Sequence, residues 1–105
     1  MTEPLGDFGR HSEPALLVLV SLAEGPKHGY SMMDDIERVT GTRLGPGTLY
    51  GAIARLEKRG FIAKVEATDR RKPYRLTPAG EDALSSQLAG LKVVLSAGLK
   101  RIATA

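Results

Sequence analysis

Gly45-Pro46-Gly47-Thr48-Leu49-Tyr50-Gly51-Ala52-Ile53-Ala54-Arg55-Leu56-Glu57-Lys58-Arg59-Gly60 reads as one helix with two unlike faces. Pro46 suits the first helical position, where its missing N–H costs nothing, and Gly60 suits the stop. Leu49, Ile53 and Leu56 recur at i, i+4 and i+7 and form a stripe for burial. The other side carries Gly47, Thr48, Gly51, Ala54, Arg55 and Lys58, with no bulky apolar group. So thin and cationic a face lets a helix sit deep in a DNA major groove, where Arg or Lys reaches guanine edges or phosphates. An ordinary surface helix could look the same, so the flanking sequence has to separate the two readings.

Charge separates them. The 105 residues carry a net charge of +3, yet positions 55–75 hold eight basic residues and only three acids, which leaves the rest of the chain net negative. Positive charge focused on one fifth of a chain is the footprint of a polyanion binder.

The segments around the helix give the fold. Downstream, Phe61 to Glu66 and Pro73 to Thr77 read as two strands, the second with Tyr74 and Leu76 on one face and Arg75 on the other. They enclose a basic tip, Asp69-Arg70-Arg71-Lys72, which can touch phosphates or reach a minor groove. Upstream, Ser12 and Pro14 open an almost wholly apolar helix, Ala15 to Ala23, interrupted by Ser21 and ended by Gly25-Pro26. Burial on several sides is expected for it, with a second subunit supplying part of the cover. A second helix, Gly29 to Thr40, should bury Met32, Met33, Ile36 and Val39 and expose Asp34, Asp35, Glu37 and Arg38, with Tyr30 between helices. Gly41 caps it, and Thr42 to Leu44 suggest a short edge strand. The order helix, helix, helix, hairpin is that of a winged helix-turn-helix.

Thr77-Pro78-Ala79-Gly80-Glu81 opens a last helix, with Thr77 as cap and Gly80 where a capping box would place Glu. Leu84, Leu88, Leu91, Leu95, Gly98 and Ile102 follow in steps of four and three, the spacing of a coiled-coil seam, with Leu99 beside it. A stripe this wide exceeds what a small domain can cover, so the seam predicts a homodimer.

Composition excludes much else. The chain has no cysteine, hence no disulfide, thiolate nucleophile or cysteine metal site, and His11 and His28 are too far apart to suggest a metal. No cofactor is expected. Ala15 to Val20, the longest apolar run, is too short to cross a bilayer. No signal-peptide pattern opens the chain, so the expectation is a cytoplasmic protein without membrane contact. Asp34 and Asp35 point in different directions around their helix with no nucleophile nearby, so an enzyme is not expected.

Leu16 to Tyr30 (Leu-Leu-Val-Leu-Val-Ser-Leu-Ala-Glu-Gly-Pro-Lys-His-Gly-Tyr), Pro-Gly-Thr-Leu-Tyr at 46–50, Arg-Leu-Glu at 55–57 and Tyr-Arg-Leu-Thr-Pro-Ala-Gly at 74–80 together resemble PadR-family transcriptional regulators. The resemblance implies a homodimeric repressor joined by its C-terminal helices with help from the N-terminal segment. It also implies a recognition helix carrying Thr48, Tyr50 and Arg55, and a wing at Asp69 to Lys72. Gly45 replaces the Ser that often precedes the Pro-Gly-Thr-Leu-Tyr motif, removing a side-chain cap, and Gly51 replaces a common Pro. Some relatives hold aromatic ligands with tryptophan at the dimer interface. This chain has no Trp, which leaves Tyr30, Phe8 and the methionines as soft or aromatic substitutes.

The expected architecture is therefore mainly α with a small β-hairpin: a flexible N-terminal arm at 1–11, with Leu5 and Phe8 as its docking residues if it docks, a winged helix-turn-helix at 12–77, and a dimerisation helix at 78–105. Gly47, Thr48, Tyr50, Gly51, Arg55, Lys58, Arg70, Arg71 and Lys72 are the expected contacts to double-stranded DNA. Leu84, Leu88, Leu91, Leu95, Leu99 and Ile102 are the expected dimer contacts, with room for a small-molecule effector between the subunits. The competing reading is a winged-helix module that binds a protein partner and no DNA.

Overall fold

The structure, a computed structural model, describes residues 13–66 and 73–104. The N-terminal arm, the Ser12 cap and the hairpin tip with Arg70, Arg71 and Lys72 lie outside the described residues. The elements in order are α1 (Glu13–Ala23), α2 (Gly29–Thr40), α3 (Pro46–Lys58), β1 (Ile62–Lys64), β2 (Tyr74–Leu76) and α4 (Pro78–Thr104). This is the helix, helix, helix, hairpin order of a winged helix, followed by one long helix.

The apolar character of α1 follows from its place at the hub. It touches α2, α3, α4 and β2, and Val18, Leu19 and Leu22 are buried. Much of the cover expected from a second subunit thus comes from its own domain. Leu49, Ile53 and Leu56 of α3 are buried as their spacing predicts, and Ala52 joins them. Each fully buried aliphatic side chain contributes about 1.5–3 kcal/mol, so the α1–α3 contact anchors the domain.

Helix ends follow local chemistry. Gly41 takes a φ of +78° after α2 and its N–H donates to Glu37 O at 2.7 Å. Gly60 takes a φ of +79° after α3; its N–H donates to Glu57 O at 3.0 Å, and that of Phe61 to Leu56 O at 3.0 Å. That left-handed glycine closes α3 and turns the chain into β1. Thr77 caps α4 as expected: its Oγ1 accepts the Gly80 N–H at 3.1 Å and donates to Gly60 O at 2.6 Å. Gly80 is there for space. A Cβ on it would run into the backbone carbonyl of Phe61, so α4 can press on the end of the α3–β1 turn only because this residue has no side chain.

The hairpin pairs antiparallel with Ile62 opposite Leu76, Ala63 opposite Arg75 and Lys64 opposite Tyr74. Both strands are shorter than the sequence suggests. Lys27, between α1 and α2, forms an antiparallel bridge to Tyr74 on the other edge of β2. Thr42 to Leu44 form no strand. Instead the Thr40 hydroxyl donates to Ile36 O at 2.8 Å and accepts the Thr42 N–H at 3.1 Å, which holds that segment as a tight turn.

Three further expectations are corrected. Asp35 is buried, not solvent-facing, because the Ser21 hydroxyl donates to its Oδ2 at 2.7 Å across the α1–α2 contact. Val39 is exposed; it lines the rim of that contact with Leu17 and Val20. Leu84, read as the first rung of the seam, is only 6% exposed and belongs to the core of its own domain. Beyond it α4 leaves the domain, and Leu88, Leu91, Leu95, Leu99 and Ile102 are exposed.

Candidate nucleic-acid interface

Burial of Leu49, Ala52, Ile53 and Leu56 fixes the rotation of α3, and so which residues point outward. Gly47, Thr48, Ala54, Arg55 and Lys58 are exposed and Gly51 is half-buried. Nothing lies within 4 Å of the place a Cβ would take on Gly47. On Gly51 the one nearby atom is Arg55 Nη1 at 3.5 Å. The Arg55 guanidinium therefore lies back along the helix over Gly51, the direction helical side chains favour. This brings its charge onto the thin face. Arg55 also lines a depression of about 340 Å³ with Arg59, Leu16, Leu19 and Phe61, on the flank of α3 that turns toward α1 and α4. Arg55 and Lys58 also occupy the last turn of α3, where cations suit the helix dipole.

Tyr50 stands on the opposite flank. Its hydroxyl end occupies the space above Gly29, the first residue of α2. The ring thus sits in the crease between the N-terminal ends of α2 and α3, and it remains exposed. Tyr30, expected between helices, is 65% exposed. Residue 30 follows the buried Gly29 by a third of a helical turn and points off the buried face of Met32, Met33 and Ile36. Both tyrosines are thus exposed, Tyr50 with its hydroxyl end against Gly29 and Tyr30 off the buried face of α2.

The α2–α3 turn carries a cation that is already engaged. Arg43 Nη1 donates to Asp34 Oδ1 at 3.0 Å and to Glu37 Oε1 at 2.8 Å. These hydrogen bonds, that of Glu37 foremost, push the guanidinium further above its ordinary range. Arg43 thus compensates the acids on α2 and braces the turn before α3. The spacing of Asp34, Glu37 and Arg43 could have signalled this cluster, but not its pairing.

On the hairpin, Lys64 and Arg75 are exposed. They lie on opposite faces of the hairpin: Lys64 shares the face of Ile62 and Tyr74, while Arg75 lines a depression with Leu22 and Glu81. The expected tip contacts Arg70, Arg71 and Lys72 fall outside the described residues. Among the described residues, no cluster of His, Cys, Asp and Glu could hold a metal, and no helix is long and apolar enough to cross a membrane.

The chain is 47% identical over 78 residues to an uncharacterised 37.1 kDa protein from a transposon of Streptomyces fradiae; the match covers 74% of this chain and 23% of that protein. The chain therefore spans about a quarter of that relative's length. It is 35% identical over 80 residues to a transcriptional regulator of Mycobacterium tuberculosis, covering 73% of this chain and 74% of the other. The fold superposes on the structure of a transcriptional regulator from Clostridium thermocellum with a TM-score of 0.74 and 32% identity, over 90% of this chain and 96% of that one. Residues 18–86, from the middle of α1 into α4, match the profile of the PadR-like transcriptional regulators. The chain belongs to the PadR-like family, a family of transcriptional regulators rather than of enzymes.

Proposed function

We propose that the chain acts as a homodimeric repressor that places two copies of α3 in successive major grooves of a pseudo-palindromic operator, about 34 Å apart. The observation that carries this reading is the outer face of α3. It has open space over Gly47, the Arg55 guanidinium folded over Gly51, and no apolar bulk, so its backbone can approach a groove floor. Thr48, Arg55 and Lys58 face the bases and nearby phosphates. Tyr50, and with it Tyr30, reaches phosphate from the crease, and Arg70, Arg71 and Lys72 supply wing contacts. The exposed stripe on α4, Leu88, Leu91, Leu95, Leu99 and Ile102, joins the two subunits. An effector would act by wedging between them and changing the spacing of the two α3 helices. The location is cytoplasmic, with the DNA.

A titration of labelled duplex DNA at several salt concentrations tests the reading. DNA binding gives a loss of roughly 0.9 log units of affinity per phosphate contact for each log unit of salt. A flat response would favour a protein partner. Arg55→Ala should relax base preference at a cost of about 1–3 kcal/mol if the guanidinium is bidentate to guanine; a uniform loss over all sequences would make it a phosphate contact.

A further inference from the structure

Lys27 joins parts of the molecule that lie far apart in sequence. Its N–H donates to Tyr74 O at 3.0 Å and its carbonyl accepts the Tyr74 N–H at 2.9 Å, so β2 is paired with β1 on one edge and with Lys27 on the other. Its ammonium donates to Ser21 O and lies 3.0 Å from Glu24 Oε1 and 3.8 Å from Asp35 Oδ2. The two acids differ: the Glu24 side chain is 71% exposed, that of Asp35 only 9%. Asp35 is itself held, by the Ser21 hydroxyl at 2.7 Å and by Arg38 Nη2 at 2.9 Å. A buried carboxylate on α2 thus lies within ion-pair range of an ammonium that is hydrogen-bonded to Ser21 O and whose own backbone closes the outer edge of the hairpin.

We propose that Asp35 is a positioning residue for the hairpin, setting through Lys27 the direction in which β1 and β2 leave the domain and present their cations to DNA. The proposal rests on the DNA-binding reading above. Strands of three residues each make a hairpin that is marginal by itself. Burial of Ile62 in the core holds its base, and the pairing of its free edge with Lys27 adds the second restraint on its orientation. Glu24 cannot replace Asp35, because water and salt screen an exposed partner. Lys64, exposed on β1, is the described charge that this orientation directs; Arg75 is on the other face of the hairpin, against α1 and α4. Asp35 also holds Ser21 and the exposed Arg38, so Lys27→Met and the double variant are what isolate the route through Lys27.

The experiment uses the full chain with Asp35→Asn and, separately, Lys27→Met, which keeps the backbone bridge but removes the ammonium. Amide hydrogen exchange is read at Lys27 and Tyr74, the bridge amides, against Val65 and Thr77, which donate to Pro73 O and Phe61 O within the hairpin and at its base. In both variants exchange at the bridge amides should rise about tenfold relative to Val65 and Thr77. A loss of stability shared by the whole fold speeds all four by the same factor, and equal factors at the four amides overturn the proposal. So does unchanged exchange at Lys27 and Tyr74.

DNA titrations of the same variants should show the salt slope reduced by roughly 0.9 or more, one phosphate contact, with base preference intact. In the double variant the loss should equal that of either single change. A wild-type slope in both variants would overturn the positioning role and leave the DNA reading standing. A flat slope in the wild-type protein would overturn the DNA reading, and the positioning role with it.

Discussion

The hydroxyl end of Tyr50 occupies the space that a side chain would need at Gly29. One ring thereby locks the N-terminal ends of α2 and α3 together. Replacing glycine by alanine in a helix ordinarily gains about 0.5–1 kcal/mol. At this position the added methyl must displace the ring, and a loss of about 1–3 kcal/mol is expected instead. Thermal unfolding of Gly29→Ala measures it. In a Tyr50→Ala background the same change should be neutral or stabilising. A gain in the wild-type background would show that the ring moves aside freely.

Gly80 makes the same argument with a backbone partner. A Cβ there meets the carbonyl of Phe61, which cannot rotate away as a side chain can. Gly80→Ala should cost about 1–3 kcal/mol in denaturant unfolding. Gly90 has nothing within 4 Å of its Cβ position, and Gly90→Ala should gain about 1 kcal/mol. If both changes stabilised, the close contact between α4 and the α3–β1 turn would be refuted.

These glycines show where the sequence was legible and where it was not. The Leu49–Ile53–Leu56 stripe, the Gly41 and Gly60 stops and the Thr77 cap are local chemistry, and each could be read from a few neighbours. Gly80 could be placed in a cap but not against Phe61, because that contact is tertiary. Asp35 looked like a surface acid because nothing in its own helix reveals Ser21 across from it. Leu84 fits the heptad spacing as well as Leu91 does; only the point at which α4 leaves the domain separates core from exposed stripe. Periodicity marks an apolar face, and the neighbours of that face are set by the rest of the fold.

Asp35 should also leave a mark on acid stability. The Ser21 hydrogen bond first, then the charges of Lys27 and Arg38, hold its carboxyl below the ordinary 3.8 against the opposing effect of burial. A folded-state value below the unfolded one means that the ionised carboxylate stabilises the fold above about pH 4, and that this contribution is lost as pH falls through the folded-state value. Urea unfolding from pH 7 down to about pH 3 should therefore show Asp35→Asn less stable than wild type at neutral pH, with the gap narrowing in acid. A gap independent of pH would mean that charge at Asp35 contributes nothing.

Leu84 and Leu91 should part company on substitution. Leu84→Ala opens a cavity in the domain core and should cost about 2–5 kcal/mol without changing the mass in light scattering at temperatures where the chain stays folded. Leu91→Asp places a charge on the exposed stripe of α4 and should give a folded monomer. A Leu91→Asp protein that remained dimeric would locate the interface elsewhere.

The central claim is that the outer face of α3 reads duplex DNA, and reads it twice. Hydroxyl-radical footprinting of the intact protein on a duplex selected from a random-sequence pool tests this most directly. Two protected segments on one side of the duplex are expected, with centres about one helical turn, or 34 Å, apart. A single protected segment, or no protection under conditions where the protein is folded, would contradict it.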